Sequence, residues 1–371
     1  MSQTRPILLS TLEISGDEYA GWLIEQYKAI APQSHFIGLG GDNAQAAGMA
    51  LNAHFKDHAC MAFVDVIKKF KVFKALLNDL VEIMDREKPS AVVLIDSSGF
   101  NLRLAKEAYK RNIPVLYLIP PKVWAWATWR IKKIRRYCTS VACMYDFETT
   151  FFNQNNVPAK TIKHPRDAFL IPSKHVKKDL YAICPGSRVS EIKHNLPNLL
   201  KASVMIQKEQ PSATFGLLVA NHRLKRYITD LLDQFTELHV SLIEQNQKGF
   251  LAQADVALAT SGTLTYELMM LKTPMVVVYR TSQRFSYYII KEWFFKPNWV
   301  SLPNLIANQT IVPELLQKNM TPINIAREAL KITQNSSARS RMVTNLNVLR
   351  QQSSHHQNKS LGDILHAFIS K

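Results

Sequence analysis

Cysteine, acidic side chains and long apolar runs are all scarce in this 371-residue chain. The four cysteines, Cys60, Cys138, Cys143 and Cys184, are scattered, two of them in apolar stretches. That pattern excludes a disulfide framework and a cysteine metal site, and it points to reduced, packed thiols. No apolar stretch reaches the ~18–20 residues needed to cross a bilayer. Residues 1–6 run into a short apolar segment, 7–9, too brief for a signal-peptide core, so a cytoplasmic protein is expected. Acidic residues number 29 against 46 Lys plus Arg, giving a formal net charge of +17 and a pI near 9.7. Such a surface attracts nucleic acid, phospholipid or a phosphorylated substrate. Zinc-ligand spacing, a basic zipper and a ribonucleoprotein aromatic motif are missing, which argues against nucleic acid. The basic residues stand beside large apolar ones, a mixture suited to a membrane surface.

What is present is a rhythm. Apolar runs at 7–9, 36–39, 91–95, 115–119 and 141–144 alternate with helix-period segments, and a second set follows at 181–184, 215–219, 240–243, 256–259 and 275–278. Runs without polar alternation imply strands buried on both faces, the mark of a parallel sheet between helix layers. Residues 164–178, rich in Lys, Pro and Asp, read as a linker. The expected fold class is α/β, with two doubly wound Rossmann-like domains over 1–170 and 171–345 and a helical tail over 346–371. His355-His356 lacks the partners that a metal site needs, and Leu361, Ile364, Leu365 and Phe368 have the spacing of a last, packed helix.

In open α/β sheets, ligands sit beyond the carboxyl ends of the strands. Four such places qualify in the first half: Glu13-Ile14-Ser15-Gly16-Asp17, Gly38 to Asp42, Asp96 to Asn101, and Pro120 to Trp126. A carboxylate at the mouth of an apolar cleft can act as a general base, since burial raises its pKa toward the working range. Asp96 is the best placed, although an Asp there can equally cap the next helix. In the second half, Pro185-Gly186-Ser187-Arg188 combines a close backbone approach, a helix-capping hydroxyl and a planar guanidinium, an arrangement matched to phosphate. A second small-residue turn, Ser261-Gly262-Thr263, opens a helix with Glu267 one turn in, where a carboxylate can accept from both hydroxyls of a ribose or simply favour the helix dipole.

Taken together and in order, several motifs resemble the lipid-A-disaccharide synthase family. They are Ser15-Gly16-Asp17, Gly38-Leu39-Gly40-Gly41, Ile95-Asp96 with Phe100-Asn101, Val123-Trp124-Ala125-Trp126, Pro185-Gly186-Ser187-Arg188 with Glu191, Ser261-Gly262-Thr263 with Glu267, Pro274-Met275-Val276-Val277 and Ser301-Leu302-Pro303-Asn304-Leu305. The similarity runs from about residue 7 to 330, and the Val-Trp-Ala-Trp and Ser-Leu-Pro-Asn-Leu elements are its specific part. It implies an inverting glycosyltransferase of the two-Rossmann-domain (GT-B) type. UDP-2,3-diacylglucosamine would be the donor and 2,3-diacylglucosamine 1-phosphate the acceptor, giving a β-1,6-linked disaccharide and UDP without metal or cofactor. Asp96 falls on the family's catalytic aspartate. Gly186, Ser187, Arg188, Glu191, Ser261, Gly262, Thr263, Glu267 and Asn304 fall on the UDP side, and Glu13, Ser15, Gly16, Asp17, Asn101, Trp124 and Trp126 line the acceptor loop. A homodimer is implied as well. The chain departs from the pattern at Thr11, Leu12, Gly99, Pro120-Pro121-Lys122 and Lys163; the second carboxylate of the Ile-Asp loop is lost at Gly99. Two rival readings are a different UDP-N-acetylglucosamine enzyme of the same architecture (a cell-wall transferase or an epimerase) and a non-catalytic paralogue at the membrane.

Acylated substrates require contact with a bilayer, expected here at the inner face of the inner membrane of a Gram-negative bacterium. Over residues 67–84, Phe70, Phe73, Leu77, Leu80, Val81 and Met84 share one helical face and Lys68, Lys71 and Lys74 another. Lysines at a helix start oppose the macrodipole, so an external anion would explain them. Lys68, Phe70, Lys71, Val72 and Lys74 are therefore the membrane candidates. The basic run 130–136 and the aromatic run 285–296 add matter of the same kind.

Overall fold

The computed structural model describes residues 5–55, 66–125, 128–164, 167, 169–220, 224–280, 298–355 and 359–370. The chain divides into two compact units, Met1–Pro165 with His355–Lys371, and Arg166–Ser354. The first holds a seven-stranded sheet of β1 (Ile7–Ser10), β2 (Phe36–Gly40), β3 (Met49–His54), β4 (Ala91–Ile95), β5 (Val115–Leu118), β6 (Ser140–Cys143) and β7 (Ala159–Thr161). Its order is β3-β2-β1-β4-β5-β6-β7, with all neighbours parallel. The second holds β8 (Leu180–Cys184), β9 (Thr214–Leu218), β10 (Val240–Ile243), β11 (Val256–Thr260), β12 (Met275–Tyr279) and β13 (Glu314–Leu316), in the order β10-β9-β8-β11-β12-β13 and again all parallel.

Parallel neighbours need crossovers, and helices supply them. In the first unit these are α1 (Ile14–Ile30), α2 (Asp42–Ala46), α3 (Val66–Glu87), α4 (Ser98–Lys110), α5 (Ile131–Tyr137) and α6 (Asp146–Gln154). The second has α7 (Val189–Glu209), α8 (Lys225–Leu232), α9 (Gln247–Gln253), α10 (Thr263–Leu271), α11 (Leu302–Ala307), α12 (Pro322–Gln334) and α13 (Ser336–His355), after which α14 (Leu361–Ile369) returns to the first unit. Every residue of β4 and β11 is buried, as strands sandwiched between helix layers must be. The ten apolar runs all form strands. β3, β7 and β13 add three that apolar runs did not announce, each at a sheet edge and only partly buried.

Helix α13 passes through residue 346, where a separate tail was expected to begin. The last apolar face is covered by α1: Gly362 donates its N–H to Oε1 of Gln26 at 3.3 Å, and an ideal Cβ on Gly362 would stand 2.7 Å from the Gln26 backbone. In α3 the buried face is Leu76, Leu80, Ile83 and Met84, with Phe73, Leu77 and Val81 packed beside it. Lys74 is exposed and Val72 half-buried, while the side chains of Lys68, Phe70 and Lys71, and residues 285–296, lie outside the described set. Cys138, Cys143 and Cys184 are free and buried; burial pushes the Cys138 thiol up to about 12, which keeps it inert near neutral pH. Cys60 lies outside the described residues.

The register of β2 slips between Gly38 and Leu39, where Gly38 has φ +125° and packs against the Leu9 carbonyl. A side chain there meets both a left-handed backbone and a fixed strand. Gly38→Ala should therefore destabilise the protein by about 2–4 kcal/mol, read as a lower urea midpoint, and an unchanged midpoint would show that β2 can shift.

Candidate active site

Both sheets reverse their winding at an inner pair of strands, β1/β4 in the first unit and β8/β11 in the second. At such a switch point the connections leave in opposite directions and open a crevice at the carboxyl ends. In the first unit the loop after β1 and the turn after β4 share that mouth. Asp96 and Ser97 both have left-handed backbones, φ +50° and +45°, a conformation that costs about 1–3 kcal/mol per residue outside glycine. Side chains hold them there. Nδ2 of Asn101 donates to the carbonyls of Ile95 (3.0 Å), Asp96 (2.9 Å) and Ser10 (3.3 Å), Oγ of Ser10 donates to Oδ1 of Asn101 (2.8 Å), and the Tyr117 hydroxyl donates to the Asp96 carbonyl at 2.7 Å.

The Asp96 carboxylate is half-buried and accepts the Ser97 N–H at 2.9 Å. Its pKa lies above the ordinary value because burial disfavours the charge, while the Ser97 amide and the Lys122 ammonium pull the other way. It does not cap α4, whose N-cap residue is Ser97. Glu13 and Ser15 are exposed at the same mouth, and Gly16 is buried against the Thr11 hydroxyl, which leaves no room for a Cβ. Thr11 is buried with its hydroxyl unpaired. At Gly99 a Cβ would meet nothing within 4 Å, so packing does not dictate the loss of the family's second carboxylate.

Asp17, expected on the acceptor loop, is engaged with main chain. Its buried carboxylate accepts from the amides of Gly41 (2.7 Å), Asn43 (2.9 Å) and Ala44 (3.2 Å) and from Nδ2 of Asn43 (3.0 Å), which caps α2. Asn101, buried within the network above, is likewise a brace. Trp124 is half-buried, and its indole N–H donates to Oε1 of Glu148 at 3.0 Å, with Phe147 edge-on at 4.9 Å. Trp126 lies outside the described residues. Glu148 was missed from the sequence. It is buried at the start of α6, its pKa raised by burial and eased by Lys122 and the Trp124 indole. Its signal in the sequence is its place just past the carboxyl end of β6, within Tyr145-Asp146-Phe147-Glu148. Arg130, part of the basic run, donates to Oγ of Ser98 at 3.0 Å and so belongs partly to this mouth.

In the second unit Gly186 has φ +111°, and Ser187 and Arg188 are exposed. Ser187 does not cap α7. Instead Glu191 folds back, accepting from the amides of Ser187 (2.9 Å) and Arg188 (3.3 Å) and from Nη1 of Arg188 (2.8 Å). On neighbouring β11 the next turn leaves Gly262 and Thr263 exposed at the start of α10, and a Cβ on Gly262 would meet nothing within 4 Å. Half-buried Glu267 is close enough to the end of β8 that its charge, after burial, raises the Cys184 thiol. Oγ of Ser261 donates to the Val300 carbonyl at 3.0 Å. Among the described residues no cluster of three His, Cys, Asp or Glu could hold a metal, and no helix is long and apolar enough to cross a membrane.

A family model described as lipid-A-disaccharide synthetase matches residues 7–368. The chain belongs to this family. A lipid-A-disaccharide synthase of Solibacter usitatus is 32% identical over 92% of this chain and 91% of its own length, and one of Coxiella burnetii is 30% identical over 94% of each. Membership makes the protein a glycosyltransferase of lipid A disaccharide synthesis. Among solved structures, the kitacinnamycin glycotransferase covers 98% of this chain and 99% of its own at 13% identity with a TM-score of 0.63. Acinetobacter baumannii MurG covers 99% and 100% at 11% identity and 0.59, and the UDP-GlcNAc 2-epimerase of Neisseria meningitidis 98% and 99% at 12% and 0.57. At such identity these structures establish the shared fold alone, and the family match decides against the epimerase reading.

Asn304, expected to touch UDP, is fully buried with its amide committed. Its Oδ1 accepts from Ile311 (2.7 Å) and Val312 (2.9 Å), and its Nδ2 donates to the Val312 carbonyl and to Oε1 of Glu314, both at 2.9 Å. Glu314 also gathers the Ser301 hydroxyl (2.6 Å) and the amides of Val300 and Ser301. The Ser-Leu-Pro-Asn-Leu element thus folds around one carboxylate and supports the 261–265 turn, where Thr265 accepts the Leu302 N–H at 3.2 Å. Asn304→Ala should cost about 2–4 kcal/mol of stability by stranding these groups. A nucleotide contact would instead leave the melting temperature unchanged and weaken UDP.

Proposed function

We propose that the chain transfers a diacylglucosaminyl group from UDP-2,3-diacylglucosamine to the 6-hydroxyl of 2,3-diacylglucosamine 1-phosphate, with Asp96 as the base. The observation that carries the assignment is the pinned, left-handed Asp96–Ser97 turn at the switch point of the first sheet. Backbone strain held in place by Asn101 and Tyr117 has a use where a carboxylate must keep one direction. In the reaction the acceptor O–H gives its proton to the Asp96 carboxylate as its oxygen bonds the anomeric carbon. The bond from that carbon to the β-phosphate oxygen breaks on the opposite face, which inverts the configuration, and negative charge gathers on the departing UDP.

Stabilising that charge falls to the second unit. Arg188 and the amides at Gly186 and Ser187 lie at the start of α7, and those at Ser261, Gly262 and Thr263 lead into α10, so both helix starts present donors to a diphosphate. Glu267 is assigned to the ribose hydroxyls. On the acceptor side, Glu13 with Ser15 and Gly16 at the start of α1 follow β1, which pairs with the strand that ends at Asp96, and Trp124 offers an aromatic face that Glu148 keeps in place.

Asp96→Asn should preserve folding and UDP binding while lowering turnover by about two to four orders of magnitude. Because the Asp96 pKa is raised, the acid limb of kcat/KM should lie above the ordinary carboxylate range in the wild type, and Lys122→Gln, by removing a nearby positive charge, should move it higher still. Wild-type turnover in the asparagine variant would overturn the assignment.

Peripheral docking on anionic lipid is assigned to the start of α3, through Lys68, Phe70, Lys71, Val72 and Lys74, with the basic face of α5 assisting. Exposed Trp129 lies beneath Arg130 and Lys133 at 5.1 and 5.5 Å, an aromatic and basic pairing suited to headgroups. Each surface lysine is worth up to about 1 kcal/mol, and salt screens it. In vesicle sedimentation the wild type should release with salt, and the Lys68/Lys71/Lys74→Gln variant should bind less at low salt and lose less at high salt. Equal binding of both proteins would remove these lysines from the interface.

A further inference from the structure

The turn after β8 already holds an anion, and that anion is its own Glu191. One carboxylate oxygen takes the amides of Ser187 and Arg188, and the other takes Nη1 of Arg188. These are the donors that a phosphate would use: two N–H groups at the start of a 21-residue helix and a guanidinium. Gly186 makes room for the carboxylate, since an ideal Cβ there would lie 2.6 Å from Oε2 of Glu191 and 2.7 Å from its Cβ. The neighbouring turn differs. Beyond β11, which pairs with β8, a Cβ on Gly262 would meet nothing within 4 Å among the described residues. The cradle is thus half filled from within and half open.

We propose that Glu191 is a resident competitor of the nucleoside diphosphate, a carboxylate that occupies the 186–188 donors in the empty site, yields them to a ligand phosphate and reclaims them as the product leaves. This rests on the nucleotide assignment above. Displacement is feasible because the guanidinium side of the pair is open to solvent: the Arg188 side chain is 78% exposed against 14% for Glu191, and a pair with one partner in solvent is screened and weak. A ligand anchored at the open 262–263 turn presents its second phosphate to the filled turn at high effective concentration and carries more charge than one carboxylate, so it wins the donors. A nucleoside without phosphates has nothing to exchange for them. Affinity then follows the phosphate charge of the ligand, and the returning carboxylate keeps UDP from being held too firmly after transfer.

The test is calorimetry of UDP and of uridine with the full chain, as wild type, Glu191→Gln and Arg188→Ala. Glutamine keeps an acceptor for the two amides and removes the charge. The Glu191→Gln variant should bind UDP more tightly, by up to about fivefold, the upper worth of an exposed pair, with uridine unchanged as the control for an intact fold. UDP should show correspondingly stronger product inhibition. Arg188→Ala should weaken UDP in the same experiment. If Arg188→Ala weakens UDP but Glu191→Gln leaves it unchanged or weaker, Glu191 orients the arginine and the competitor proposal is overturned while the nucleotide site stands. If UDP is indifferent to both changes, the nucleotide assignment falls, and the competitor with it.

Discussion

Backbone groups at the carboxyl ends of parallel strands have lost their ladder partners, and the structure of this protein depends on side chains that satisfy them. Asn101 closes the turn after β4, Asp17 the start of α2, and Asn304 with Glu314 the loop that supports the 261–265 turn. Each is buried or half-buried, and each spends several hydrogen bonds on main chain. Without Asn101 and Tyr117 the paired left-handed residues at Asp96 and Ser97 would have no reason to persist, and the carboxylate would lose its direction. The chemistry proposed for this chain thus stands on polar groups that touch no substrate.

What these braces leave uncommitted is informative. In the first unit it is the Asp96 carboxylate, accepting one amide. In the second it is the open turn at Gly262 and Thr263. Lys122 acts electrostatically on both Asp96 and Glu148, two carboxylates whose pKa values burial raises. The lost second carboxylate at Gly99 and the gained lysine belong to the same mouth, and together they shift its charge toward the positive. An anionic, phosphorylated acceptor is compatible with that shift.

Much of the fold was legible because the inner strands are buried on both faces. Such positions are filled mainly by Val, Ile, Leu, Ala and Met, with a few aromatic residues such as Tyr117 and Tyr181, and a largely apolar run is what remains in the sequence. The edge strands β3, β7 and β13 are only partly buried, so their sequences are mixed and gave no such signal. The break of β8 into Pro-Gly-Ser-Arg was legible as the turn that opens α7, and Gly186 takes φ +111° there. Asp17, Asn101 and Asn304 hold main chain, a duty that their motifs do not announce: a polar residue in a family motif looks the same whether it faces a substrate or a neighbouring amide. Glu148 went unseen because its importance comes from Trp124 and Lys122, more than twenty residues away.

By itself, then, the sequence determined the parallel α/β class, the positions of the ten apolar strands and the family, since each is carried by local residue type, spacing or order. Tertiary structure alone decided which polar residues brace and which remain free, that Glu191 fills the turn its own motif creates, and that the last helix returns to cover α1. Those are outcomes of competition for hydrogen bonds and for buried area between segments distant in the chain, and such a competition has no winner until the chain is folded.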